Sequence, residues 1–170
     1  MKKTSLQGMS GHATYRSNIE SGSPVTLAPA TEVGLPMGDS LSVIREQERP
    51  AYQHNPYITI NAQNEALLNF DKPQGIGTLI VGFRQQATGT EPVSLQVSIA
   101  TVGTNNEIQL NKKETTTVRG GVNLEGNMMF DFPLALSALL DGAAINISNQ
   151  DAAASVDIWE VTVTVIQNTL

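Results

Sequence analysis

The sequence predicts an all-β protein: an antiparallel two-sheet β-sandwich, jelly-roll-like, with an extended N-terminal arm and one short helix. Three observations predict it. From Tyr57 onward, apolar and polar residues alternate in seven or eight short runs, the period of strands with one buried face. The runs recur every 10 to 15 residues or so, separated by Gly, Pro, Asn and Asp turns. No crossover helix lies between them, which disfavours a parallel βαβ fold.

The longest run is Val156–Gln167, which also holds the only Trp. Trp159, Val161, Val163 and Val165 share one face, and Glu160, Thr162 and Thr164 share the other. Upstream, Val156 and Ile158 carry the opposite phase. Such a flip predicts a bulge, or a strand that leaves one sheet for another. The run reads as a central or closing strand.

Residues 1–56 are of another kind. They hold five of the eight prolines (Pro24, Pro29, Pro36, Pro50 and Pro56) and no sustained period. Proline fixes φ and drives its predecessor toward extended backbone, so this part reads as a strap. Its apolar residues come singly or in pairs: Tyr15, Ile19, Val25, Leu27, Val33, Leu35, Met37, Leu41, Ile44 and Tyr52. Disordered tails are usually more charged and poorer in aliphatics. Two readings stand for these anchors: docking on a partner or sister subunit, or a strap laid over its own domain. Within the arm, Ser40–Glu48 reads as a short helix, capped by Asp39 or Ser40 and stopped by Pro50.

The domain proper spans 57–170. Tyr57–Ala62 alternates, with Ile58 and Ile60 on one face, and Ala66–Phe70 is a short apolar run. Asp71–Gly75 is a turn by composition. Thr78–Arg84 sets Leu79, Val81 and Phe83 inward. Val93–Thr101 sets Val93, Leu95, Val97 and Ile99 inward, with Ser94, Gln96 and Ser98 outward. Glu107–Val118 continues as strand with a Thr115-Thr116-Thr117 centre. Met128, Phe130 and Phe132 then alternate with Asn127, Met129 and Asp131. Pro133 reads as the opening of a helix over Leu134–Leu140, closed by Asp141-Gly142. Ala143–Ser148 sets Ile145 and Ile147 inward, and Asn149–Ser155 is a loop.

Charge narrows the function classes. Residues 1–56 are electrically neutral, so the net charge of −6 falls on 57–170. An acidic domain with no basic stripe repels phosphate backbones, so nucleic acid is not an expected partner. There is no cysteine, hence no disulfide and no thiolate metal site. The start, Met-Lys-Lys-Thr-Ser-Leu, is basic like a signal peptide, but Gln7, Gly8 and Ser10 interrupt the apolar run that should follow. No stretch approaches the roughly 18 apolar residues of a membrane helix. The expectation is a soluble protein made inside the cell, with no membrane partner.

Candidate chemistry is thin. Gly38-Asp39-Ser40-Leu41 spells the nucleophile motif of the GDSL esterase family. In that family the Ser follows a buried strand and works with a C-terminal Asp-x-x-His. Here Val33–Met37 precedes it, and no histidine follows His54, so the hydroxyl has no base. A cap or turn explains the four residues better, and no enzyme is expected. His12 and His54 need a third ligand to hold a metal, and no Asp-x-Asp-x-Asp calcium loop exists. No cofactor, metal site or catalytic residue is expected.

Size, composition and layout resemble the auxiliary capsid proteins of tailed bacteriophages, called decoration or cement proteins. The resemblance covers the whole chain and rests on an acidic, cysteine-free sandwich with a Pro-punctuated strap, without a diagnostic motif. It implies a structural virion protein on the outer capsid surface, made in the host cytoplasm. It also implies a homotrimer that binds the major capsid protein and steadies contacts between capsomers. The alternative is a carbohydrate- or receptor-binding module of a phage fibre or tail.

Overall fold

The computed structural model describes residues 11–19, 23–46, 53–71, 76–88, 93–102, 108–118, 126–135 and 143–168. They form twelve strands and, among the described residues, no helix. Four belong to the N-terminal segment: β1 (Gly11–Ser17), β2 (Val25–Leu27), β3 (Glu32–Gly34) and β4 (Leu41–Glu46). A short hairpin follows, β5 (Ile58–Ile60) and β6 (Ala66–Leu68). Six longer strands complete the fold: β7 (Ile76–Ala87), β8 (Val93–Val102), β9 (Ile108–Val118), β10 (Gly126–Ala135), β11 (Ala143–Asn149) and β12 (Val156–Asn168).

All pairings are antiparallel. One sheet runs β10-β7-β12-β1-β4, with β2 also on β12; the other runs β5-β6-β11-β8-β9, with β3 also on β11. The inner faces of both sheets feed one buried cluster, a sandwich-like arrangement. Alternation decides which residues enter it. Val93, Leu95, Val97 and Ile99 of β8 are fully buried, as are Ile145 and Ile147 of β11 and Leu79 and Val81 of β7. Phe83 meets Phe130 of β10 with ring centroids 5.6 Å apart, a favoured aromatic separation.

The expected phase flip in β12 is a bulge. The register with β7 shifts between Ile158 and Glu160, so Trp159 is passed over. Val156 and Ile158 are buried before it, and Val161, Val163 and Val165 after it. Trp159 was expected on the Val161 face; as the extra residue it falls out of that phase and is only half-buried. Past the bulge, the Val161 N–H donates to Ser17 Oγ at 2.9 Å, which satisfies a buried backbone donor. β12 is central, flanked by β7 on one side and by β1 and β2 on the other.

The expected division at residue 56 does not separate two packing units. β1 and β2 line one edge of β12, and β3 lines β11. Leu35 N–H donates to the Ile145 carbonyl at 2.7 Å, between the stretches of β11 paired with β6 and β3. An unpaired buried strand edge is costly, so the strap is held by the backbone groups it satisfies.

Two helix expectations change. Leu41–Glu46 is a strand: consecutive β-branched Val43 and Ile44 suit extended backbone, and the Leu41/Ile44 spacing taken for a helix face fits a bulged strand equally. Residues 47 and 48 of that expectation lie outside the described residues. In the expected Leu134–Leu140 helix, Leu134 and Ala135 belong to β10, and the remainder lies outside the described residues. Pro133 does not open a helix. It sits on an edge strand opposite Thr78, where a missing N–H is tolerated.

Candidate interaction surface

The ten arm anchors divide by burial. Tyr15, Leu27, Leu35 and Met37 are buried in the chain's own core, and Ile19 and Leu41 pack against it. Val25 is half-buried opposite Ile158. These seven therefore serve the chain's own fold first. Val33 is 38% exposed and Ile44 51% exposed, and Tyr52 lies outside the described residues. Among the described residues, two further large apolar side chains are exposed and were not among the anchors: Val43 at 54% and Met129 at 75%. Met129 was legible, because the β10 alternation sets it outward. Val43 was hidden by the helix reading.

Polar locks hold the strap. Tyr57 N–H donates to Tyr15 Oη at 3.0 Å, and Tyr57 Oη donates to Gln167 Oε1 at 2.9 Å, all three residues being buried. That chain ties β1, the approach to β5 and the end of β12 together. Buried Gln53 donates to the carbonyls of Asn55 and Asn69 and accepts from Asp71 N–H. The Asp71 carboxylate accepts from Asn55 Nδ2 at 2.7 Å and from the backbone N–H groups of Asn55 and His54. Those donors, Asn55 Nδ2 foremost, hold its pKa below 3.8, because hydrogen bonds to a carboxylate favour the charged form. Asp151 is lowered in the same way by the N–H groups of Ala154 and Ala153, both at 2.7 Å.

Gly38 and Gly34 occupy positions that exclude a side chain. Gly38 has φ +75°, and a Cβ there would stand 2.7 Å from the Asn18 carbonyl. A Cβ on Gly34 would strike Glu65, whose Oε1 accepts the Gly34 N–H at 3.1 Å. The Gly38-Asp39-Ser40-Leu41 motif is thus a turn into β4, held by Asn18, which donates from Nδ2 to Asp39 Oδ1 at 3.0 Å.

His12 lies on β1 opposite Ile166, and His54 in the loop before β5. Among the described residues, no group of three or more acidic or histidine side chains has the geometry to hold a metal ion. No described helix is long and apolar enough to cross a membrane. A shallow polar pocket of about 220 Å³ lies between Ala30, Thr31 and Glu32 and Ser148, Asn149 and Gln150. Much of its polarity serves the fold: buried Asn149 donates to the carbonyls of Leu27 and Ala154, and Gln150 Nε2 donates to Ser148 Oγ.

Comparison with protein-family models finds no match, and neither does comparison with curated proteins.

Proposed function

We propose that this chain is a structural virion protein, a capsid decoration or cement protein built on a single eight-stranded jelly roll. One observation carries the proposal. Numbering β1 and β6 to β12 as strands one to eight, the sheets read 1-8-3-6 and 2-7-4-5. That is the order obtained when one long hairpin is wound into two facing sheets, an architecture used in viral capsids and lectins. The function drawn from it remains an analogy of fold. The partner is the major capsid protein. Because the strap is spent on its own domain, contact with the shell falls to the sheet faces, end loops and edges. A homotrimer would sum three modest contacts through effective concentration.

The test is the fate of the protein in assembled particles. Particles from producing cells are banded by density and probed with an antibody to the chain. Label on the outside of intact shells, with shells that burst at lower temperature when the chain is deleted, is the expected result. Shells equally robust without the protein, or label absent from them, would sink the proposal.

A second reading, a carbohydrate- or receptor-binding module, is favoured by the polar pocket around Glu32 and Gln150. A glycan array separates the two. A cement protein leaves it blank.

A further inference from the structure

Three buried residues lock the strap where β1, the approach to β5 and the end of β12 meet, and the lock is short of one bond. Tyr57 N–H donates to Tyr15 Oη at 3.0 Å, and Tyr57 Oη donates to Gln167 Oε1 at 2.9 Å. Gln167 is fully buried, yet its Nε2, which carries two N–H donors, meets no acceptor in the chain. A buried donor left without an acceptor forfeits its hydration for nothing in return, and such groups are rare in folded proteins. An oxygen belongs beside it.

Turning the side-chain amide over does not supply that oxygen. Nε2 would then face Tyr57 Oη, Oε1 would be bare in its place, and the Tyr57 hydroxyl proton would lose its acceptor. The deficit moves and does not close. Bulk solvent does not supply it either, because Gln167 is 0% exposed. The strands leave room for something small. Across the two ladders Gln167 faces Gly11 of β1 and Gly77 of β7, both buried, so no side chain projects from either flanking position.

We infer that Gln167 holds an internal water molecule as a fixed part of the fold. The water accepts from Nε2 and donates back into the same network. One acceptor for it is Tyr57 Oη, which lies 2.9 Å from Oε1 and hence within one water's reach of Nε2 on the same amide. A hydroxyl oxygen has two lone pairs for such a bond. Gln167, Tyr15, Tyr57, Gly11 and Gly77 carry no charge, so a neutral molecule fits there and an ion does not. Internal waters of this kind make about three hydrogen bonds and are costly to remove. This one sits where the strap closes on the central strand. It leaves only when β1 parts from β12, so its residence time measures how often the strap opens. The inference stands whether or not the virion reading does.

A high-resolution crystal structure of the full chain tests it, with Gln167→Met alongside. The expected result is an ordered solvent peak at hydrogen-bond distance from both Gln167 Nε2 and Tyr57 Oη. The peak should vanish in Gln167→Met, whose side chain has similar length and no donor. Density without that peak beside the wild-type amide, or with a protein carbonyl in its place, overturns the inference, whether or not the variant folds. So does a peak that persists in Gln167→Met, because Gln167 is then not what holds the water.

Discussion

The long strands β7 to β12 and the strap formed by β1 to β4 reach the same core by different means. From Val93 to Ile99 of β8 every second residue is apolar and buried, so the strand carries its own address in its period. Beyond β1, whose burial alternates, the strap has no such period. Leu27, Leu35 and Met37 enter the core at irregular intervals, and the backbone between them borrows the edges of β12 and β11. A periodic strand is held chiefly by its side chains. An aperiodic strap is held by hydrogen bonds to edges that would otherwise be bare, with scattered side chains as pins.

Removing residues 1–40 breaks that comparison most severely. Both central edges lose their partners, Tyr57 loses the Tyr15 hydroxyl, and Gln167 is left at an open rim. The loss should exceed the roughly 5 to 15 kcal/mol by which whole domains are stable. The expected result is a chain without a cooperative thermal transition by circular dichroism; a truncated chain that melts cooperatively would mean the strap is dispensable.

A pair of substitutions sharpens it within the strap. Leu35→Ala removes a fully buried anchor and should cost about 2 to 5 kcal/mol in urea unfolding. Val33→Ala, two residues away and 38% exposed, should cost less than about 1 kcal/mol. Equal losses would show that strand pairing, not pinning, sets the strap's stability.

The smallest effect is on acidity. The folded pKa of Asp71 lies below its unfolded value near 3.8. Its contribution is therefore complete above that value and fades as pH falls through the lower folded one. Asp71→Asn should melt below the wild type at pH 6, with the gap closing only as pH falls below 3.8 and through the lowered folded pKa. A gap that stays constant with pH would assign the difference to something other than the charge.

What was legible in the chain follows from the same contrast. The β8 and β11 faces, the bulge of β12 and the outward Met129 could be read because alternation reports burial directly. Trp159 was misassigned because phase was counted back through the bulge from Val161, and the bulge absorbs one residue. The strands of the strap were illegible for a physical reason. Three residues such as Glu32–Gly34 have no period to detect, and their structure comes from β11, far along the chain. Of the surface, Val33 and Ile44 were named in advance, but four of their fellow anchors proved to be core and Ile19, Leu41 and Val25 to be half-buried, while Tyr52 lies outside the described residues. An apolar residue in an aperiodic stretch looks the same whether the groove it fills belongs to a partner or to its own chain.

The pairing of β1 with β12 also bears on how the protein is made. Thr14 and Thr164, whose hydroxyls meet at 2.9 Å, are 150 residues apart in the chain. The central strand of that sheet is the last of the twelve described strands in the chain, so neither β1 nor β7 has its main partner until all the other described strands have been made. Distant pairings of this kind fold slowly and leave sticky edges waiting. During that interval the nascent chain is most exposed to aggregation, and chaperone supply should govern its yield more than the stability of the finished fold.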